Sequence, residues 1–288
     1  MFVPGHNRRM VEKAQGTDVD AIMLDIEDGV LPEFKPQARE VIAEALTKPA
    51  PAGAPVRFVR MNAVGQPDAL RDLDAAVGPN LDGLVVAKVE CPEDLHRLDG
   101  MVSLLEHQRN VPSGQIRFLV ALESANALLN ARAIASACPR TMGMILGTED
   151  YARDIGLPVV RTHEASDLIF ARSQFVNAAT AAGVQSVDGV WPDLNNDDEL
   201  IADSTRARRL GFTGKSLIHP KQIEVVNRVF SPTEEEVDFA ERVLAAFKDA
   251  EAKGMGAVAF GGQLLDKPIV DRARAVVELH TAKSKGAR

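Results

Sequence analysis

Eight apolar runs, each closing on polar residues and each followed by a helix-forming stretch, constrain this chain more than any other feature. The runs are FVPG (2–5), VDAIMLDIEDGV (19–30), VRFVRMNA (56–63), LDGLVVAKVE (81–90), the segments at 116–122 and 142–146, a weaker one near Ser186–Val190, and GKSLIHP (214–220). Helices are expected through Lys13, around Lys35 and Arg39, over Pro67–Val77, from Pro92 to about His107, between the fifth and sixth runs, over Glu164–Ala182 and over Asp197–Leu210. Tyr151–Pro158 reads as a loop or short turn. Strand-then-helix alternation implies parallel strands joined by right-handed crossovers. Eight such units, with no glycine-rich nucleotide loop, fit an α/β fold of the (β/α)8 TIM-barrel type better than an open sheet.

In a barrel, the residues ending the strands converge on one face. Here those residues are Glu27, Arg60, Lys88, Glu123, Asp150 and His219. The most informative pair comes from RFLVALESANALLNA (117–131) and MGMILGTED (142–150). Each is an apolar strand leading into one carboxylate, Glu123 or Asp150, at the start of a helix. Two such acids at neighbouring strand ends make a hard-cation site or an acid/base pair. The plainer alternative is that each is an N-cap. His219, before Pro220, is as readily a structural hydrogen-bonding residue as a catalytic one.

Several other patterns lead nowhere. GFTGKS (211–216) lacks the first glycine of a phosphate-binding loop, where Arg209 stands, and follows a helix instead of a strand. The acidic run Asp193–Glu199 has Asp198 where a calcium loop needs glycine, and reads as a helix start. The basic run HNRRMVEK (6–13) is either a solvated helix face or a polyphosphate site beside the barrel mouth.

Composition narrows the partners. A formal charge of −8 argues against a nucleic-acid surface. No apolar run reaches the length of a membrane span, and the start lacks a signal-peptide core. Two cysteines, Cys91 and Cys138, without metal-like spacing suit a reducing cytoplasm. The division expected is a barrel over 1–231 and a C-terminal helical extension over 232–288, packing on a neighbouring subunit. The extension opens with the capping signature SPTEEE (231–236), continues as an amphipathic helix to about Lys253, passes a glycine-rich loop, and ends in a helix from Pro268. The tail after Thr281 is polar.

Taken together, these segments resemble the citrate lyase beta-subunit-like proteins of the HpcH/HpaI aldolase group. The resemblance rests on FVPG…KA (2–14), DAIMLDIEDGV (20–30), VRMNA (59–63), AKVE (87–90), LESANALLNA (122–131), LGTEDYARDIG (146–156), GFTGKSLIHPKQI (211–223), FSPTEEE (230–236) and LLDKP (264–268), in that order. Members of the group commonly begin several residues earlier, and often carry GKM where this chain has GGQ.

The resemblance implies a Mg²⁺-dependent (or Mn²⁺-dependent) carbon–carbon lyase acting on 3-hydroxyacyl-CoA thioesters such as malyl-CoA or citramalyl-CoA. By analogy, Glu123 and Asp150 would hold the metal, and Arg60 would bind substrate and offset the developing oxyanion. Asp266 would protonate the enolate in a neighbouring subunit's site. Glu27 and Asp28 would orient metal waters and Arg60, while Arg8 and Lys13 would face the phosphates of coenzyme A. A homotrimer or dimer of trimers is implied. Alternatives on the same site are a malyl-CoA-type thioesterase, a CoA-independent 2-keto acid aldolase, and a citrate lyase subunit that depends on partner chains.

Overall fold

A computed structural model describes residues 1–158, 166–252 and 254–284. The chain divides into two units, Met1–Asn227 and Arg228–Arg288.

The first unit holds eight parallel strands paired in sequence order. They are β1 (Phe2–Pro4), β2 (Ala21–Asp25), β3 (Val56–Met61), β4 (Gly83–Val86), β5 (Arg117–Leu122), β6 (Thr141–Leu146), β7 (Gln185–Asp188) and β8 (Gly214–Lys215). The Phe2 N–H donates to the Leu217 carbonyl at 2.8 Å, which brings the end of the eighth segment beside the first and closes the barrel. Helices α1 (Arg8–Ala14), α2 (Lys35–Ala45), α3 (Pro67–Ala76), α4 (Pro92–Gln108), α5 (Ala125–Leu129), α6 (Ala131–Ala135), α7 (Thr148–Asp154), α8 (Ile169–Ala182), α9 (Asp197–Leu210) and α10 (Gln222–Phe230) alternate with the strands.

Side chains alternate across each strand, so every second residue faces the barrel interior. The interior cluster is Met23, Phe58, Val85, Leu119, Ala121 and Ile145, with Phe2, Ala21 and Val187 packed on it. Two residues further along the same faces stand Pro4, Asp25, Arg60, Ala87, Glu123, Gly147 and Gly189. The apolar plug thus ends in a layer that mixes ionisable groups with residues too small to fill the space.

Between sheet and helices lies a charged core. Lys215 Nζ donates to Asp188 Oδ2 and Asp203 Oδ2, both at 2.6 Å. Arg172 donates to both Asp188 oxygens at 3.0 and 2.9 Å and to Asp203 Oδ2 at 3.0 Å. All four side chains are shielded from water. Lys215 is therefore structural, in keeping with the rejection of a phosphate loop at GFTGKS.

Three expectations for this unit need correction. Residues 151–158 are not a loop throughout, because α7 runs to Asp154. Glu149 and Asp150 favour its N-terminus, and Tyr151 is buried. The segment between β5 and β6 is two short helices, divided at Asn130. Strand eight covers only Gly214–Lys215, after which Gln222 Oε1 accepts from the Ile218 N–H and α10 follows. The expected helix from Glu164 is described only from Ser166 onward, as a short 3₁₀ turn and then α8. Glu164 itself and Lys253, the expected end of a later helix, lie outside the described residues.

In the second unit, α11 (Glu234–Glu251) begins with the anticipated capping box, Thr233 and Glu236 bonding reciprocally to each other's N–H. The glycine-rich stretch is not a plain loop. It holds an antiparallel hairpin, β9 (Val258–Phe260) and β10 (Gln263–Leu265). Gly261 and Gly262 supply the two positive φ angles (56° and 80°) that a two-residue turn needs. Leu265 packs with Val243, Phe247 and Val270 of α11 and α12 (Lys267–Ser284). Among the described residues no helix is long and apolar enough to cross a membrane.

Candidate active site

The layer above the interior plug opens into a cleft of about 290 Å³ at the C-terminal end of the barrel. Asp25, Arg60, Glu123, Gly147, Thr148, Asp150 and Ser216 are among the residues lining it. Of the strand-end residues expected to converge, Arg60, Glu123 and Asp150 line it, while Glu27 pairs with Arg60 and Lys88 with Glu27. His219 does not. It lines a neighbouring groove of about 450 Å³ with Arg9 and Lys13.

Glu123 follows β5 directly and is buried. Its Oε2 is shielded from solvent and has no hydrogen-bond partner. Burial, then the charges of Asp150 and Glu27, push its carboxyl from 4.5 up to about 8, against a smaller opposing pull from Arg60 and Lys88. A Cβ at position 147 would lie 2.4 Å from Glu123 Cγ, so Gly147 leaves the room that this carboxylate occupies. Asp150 sits in the first turn of α7, paired with the exposed Arg153 at 2.7 Å.

Arg60 points along the cleft wall. Its Nε and Nη2 donate to Asp25 Oδ1 and Oδ2 at 2.7 and 2.6 Å, and Nη1 lies 3.2 Å from Glu27 Oε2. Burial works against its charge, but the bond to Asp25 and the nearby carboxylates outweigh it and raise its pKa. Lys88 Nζ bridges Glu27 Oε1 (2.5 Å) and Asp28 Oδ2 (2.7 Å). Glu27 is thus held between two cations.

The donor set suits a hard cation. Two carboxylates face one cleft, one of them with an unsatisfied buried oxygen and a pKa raised by burial first and then by its neighbour. A bound cation would relieve both. Among the described residues no group of three or more His, Cys, Asp or Glu could hold a metal ion, so solvent or substrate would complete the coordination of any ion here.

The remaining candidates lie elsewhere. Lys13 lines the 450 Å³ groove, which shares Phe2, Val3, Pro4 and Ile218 with the cleft. Arg8 does not join it there: its Nη1 pairs with Glu44 at 2.6 Å, and it borders another groove with His6 and Gln37. Asp266, in the second unit, is exposed at the start of α12, where its Oδ1 accepts from the Ile269 N–H at 3.4 Å. Asp25 was visible in the sequence only as part of an acidic cluster. Counting by two from Ala21 and Met23 would have put it on the interior face beside Arg60.

A parallel (β/α)8 barrel with paired carboxylates and a fixed arginine at its C-terminal mouth defines an enzyme site of the kind this fold carries. The profile of the HpcH/HpaI aldolase/citrate lyase family matches residues 1–220, and the chain belongs to that family. It is similar to the citrate lyase subunit beta of Leuconostoc mesenteroides subsp. cremoris, 37% identical over 285 residues, 98% of this chain and 92% of that one. The mitochondrial citramalyl-CoA lyase of Rattus norvegicus is 33% identical over 297 residues, 98% of this chain and 85% of that one. Among solved structures, protein CitE of Mycobacterium tuberculosis in complex with magnesium, acetoacetate and coenzyme A aligns with a TM-score of 0.80 at 29% identity, covering 97% of this chain and 96% of that one. The chain is an enzyme of the lyase class.

Proposed function

We propose that the protein is a Mg²⁺-dependent lyase that cleaves, or in reverse forms, a carbon–carbon bond of a 3-hydroxyacyl-CoA thioester of the malyl-CoA or citramalyl-CoA type. The products are an acyl-CoA and an α-keto acid. The observation that carries this reading is the buried Glu123, with its unpartnered Oε2, facing the same cleft as Asp150 and Arg60. The magnesium and coenzyme A in the CitE complex support it.

Glu123 and Asp150 would hold the ion, which when bound supplies charge against the keto acid's carboxylate and adjacent oxygen. Arg60 offsets the negative charge that grows as the bond breaks, and its fixed plane keeps that interaction ready before reaction. Glu27, held by Lys88, helps keep Arg60 in place and would orient waters on a bound ion. Lys13, with Arg9 beside it, binds the CoA phosphates in the adjoining groove. Asp266 of a neighbouring subunit in a homotrimer or dimer of trimers protonates the thioester enolate. Its exposure on its own unit leaves it open to such a role.

Removal of divalent cations should abolish turnover, and Mg²⁺ or Mn²⁺ should restore it. Glu123→Ala and Asp150→Ala should each behave as the metal-free enzyme does. Wild-type rate and metal affinity in either variant would end this reading. The near full-length likeness to a citrate lyase beta subunit favours a second one, a subunit active only with partner chains. Turnover of free CoA esters by the isolated protein would decide against it.

A further inference from the structure

We infer that Asp25 is the positioning residue for Arg60, fixing the guanidinium so that its outer edge, Nη1 and the second N–H of Nη2, is offered to the substrate. The inference rests on the lyase reading and deepens it. Two parallel hydrogen bonds, 2.7 and 2.6 Å, tie Arg60 Nε and Nη2 to the two oxygens of Asp25. A two-point contact fixes the plane of a guanidinium as well as its place. Arg60 Cζ also lies over the Phe2 ring, 4.8 Å from its centre, a cation–π contact that adds to the hold.

Asp25 is itself immobile. It is buried, its Oδ1 accepts from the Glu27 N–H and its Oδ2 from the Gly29 N–H, each at 2.9 Å. The chain turns so tightly here that a Cβ on residue 29 would stand 2.2 Å from Asp25 Oδ2. Glycine at 29 is therefore part of the clamp. Nη1 and the second N–H of Nη2 remain, and the carboxylate facing Nη1, Glu27, lies farther off at 3.2 Å while Lys88 holds the other oxygen of Glu27 at 2.5 Å. The loosest of the three contacts is on the outer edge that an incoming oxyanion would use.

The competing explanation is that Asp25 merely neutralises a buried arginine. Chemical rescue separates the two. In Arg60→Ala, guanidinium ion added to the full-length protein should restore part of the turnover of the best hydroxyacyl-CoA ester, saturably. In Arg60→Ala/Asp25→Asn it should bind at least about tenfold more weakly, because the two-point acceptor is gone. Asp25→Asn alone should keep the fold, by circular dichroism, and its Mg²⁺ affinity, while kcat falls about 10²-fold with KM little moved. Gly29→Ala should reproduce the kcat loss with Asp25 intact, and it decides the matter if Asp25→Asn does not fold. An unchanged kcat in Asp25→Asn, or equal guanidinium affinity with and without Asp25, would overturn the inference. A wild-type protein inert on every CoA ester would instead sink the lyase reading. Guanidinium binding to Arg60→Ala, measured calorimetrically with and without Asp25, would then still decide this one.

Discussion

Replacing Glu123 with glutamine tests the electrostatics of the cleft through stability alone. In the metal-free protein its carboxyl is raised from 4.5 to about 8, by burial first and by Asp150 and Glu27 next. Between those values the native state holds a proton that the unfolded chain has released. Stability must therefore fall as pH rises across that interval. At about 1.4 kcal/mol per pH unit the full loss is about 5 kcal/mol, reduced to about 2–3 kcal/mol once water and side-chain motion soften the field. In a unit of this size that is roughly 5–10 °C in Tm. Glutamine carries no charge at any of these pH values. The chelator-treated variant should thus match the wild type near pH 5 and exceed it by that margin near about pH 8. Thermal unfolding followed by the fluorescence of Trp191, the single tryptophan, reads both curves. Mg²⁺ should then raise the Tm of the wild type at the higher pH and leave the variant unmoved. Parallel curves for the two proteins, from acid to base without metal, would refute the reasoning.

Other sites give separate tests. Lys215→Met leaves Asp188 and Asp203 sharing Arg172 in a fully buried setting and should cost about 3–5 kcal/mol in denaturant unfolding. Burial opposes ionisation of Asp203, but Lys215 and Arg172 outweigh it and hold the carboxyl at about 2. The wild-type advantage is therefore present above 3.8 and fades as pH falls towards 2. Gly147→Ala should displace Glu123 and weaken Mg²⁺ binding about tenfold by calorimetry, and an unchanged affinity would separate Glu123 from the metal. Lys13→Glu should raise KM for the CoA ester with little effect on kcat, and Arg8→Glu should do less, since Arg8 is turned onto Glu44. Asp266→Asn should lower kcat by roughly 10²–10⁴-fold, and mixing it with Glu123→Ala should recover activity if Asp266 serves a neighbouring subunit.

The barrel was legible because burial on both faces writes each parallel strand as an apolar run, and because each run ends where the chain meets solvent. That is how Glu123, Asp150 and Arg60 could be found. α9 was placed at Asp197–Leu210, matching the structure, since Asn196 caps it and Gly211 ends it. What stayed hidden depends on contacts distant in sequence. α7 starts where Glu149 and Asp150 signal a helix, but the inward packing of Tyr151 that goes with its run to Asp154 is a tertiary contact. The hairpin at 258–265 looked like loop because its strands are three residues each and its glycines occupy the turn. His219 ends the eighth segment as expected, yet faces the neighbouring groove. The Arg172–Asp188–Asp203–Lys215 core joins four elements, and only tertiary structure shows that these charges are partners. The clamp on Arg60 needed the period-two face of β2 to be followed one step past its last apolar residue.

Cleavage of the carbon–carbon bond and hydrolysis of the thioester give different products from the same ester. The direct measurement is product identification by mass spectrometry after incubating the isolated protein, with Mg²⁺, with malyl-CoA and citramalyl-CoA. An acyl-CoA and an α-keto acid should appear in equal amounts and be lost together in Glu123→Ala. Free coenzyme A with the intact hydroxy acid, or no product from any ester, would contradict the lyase reading.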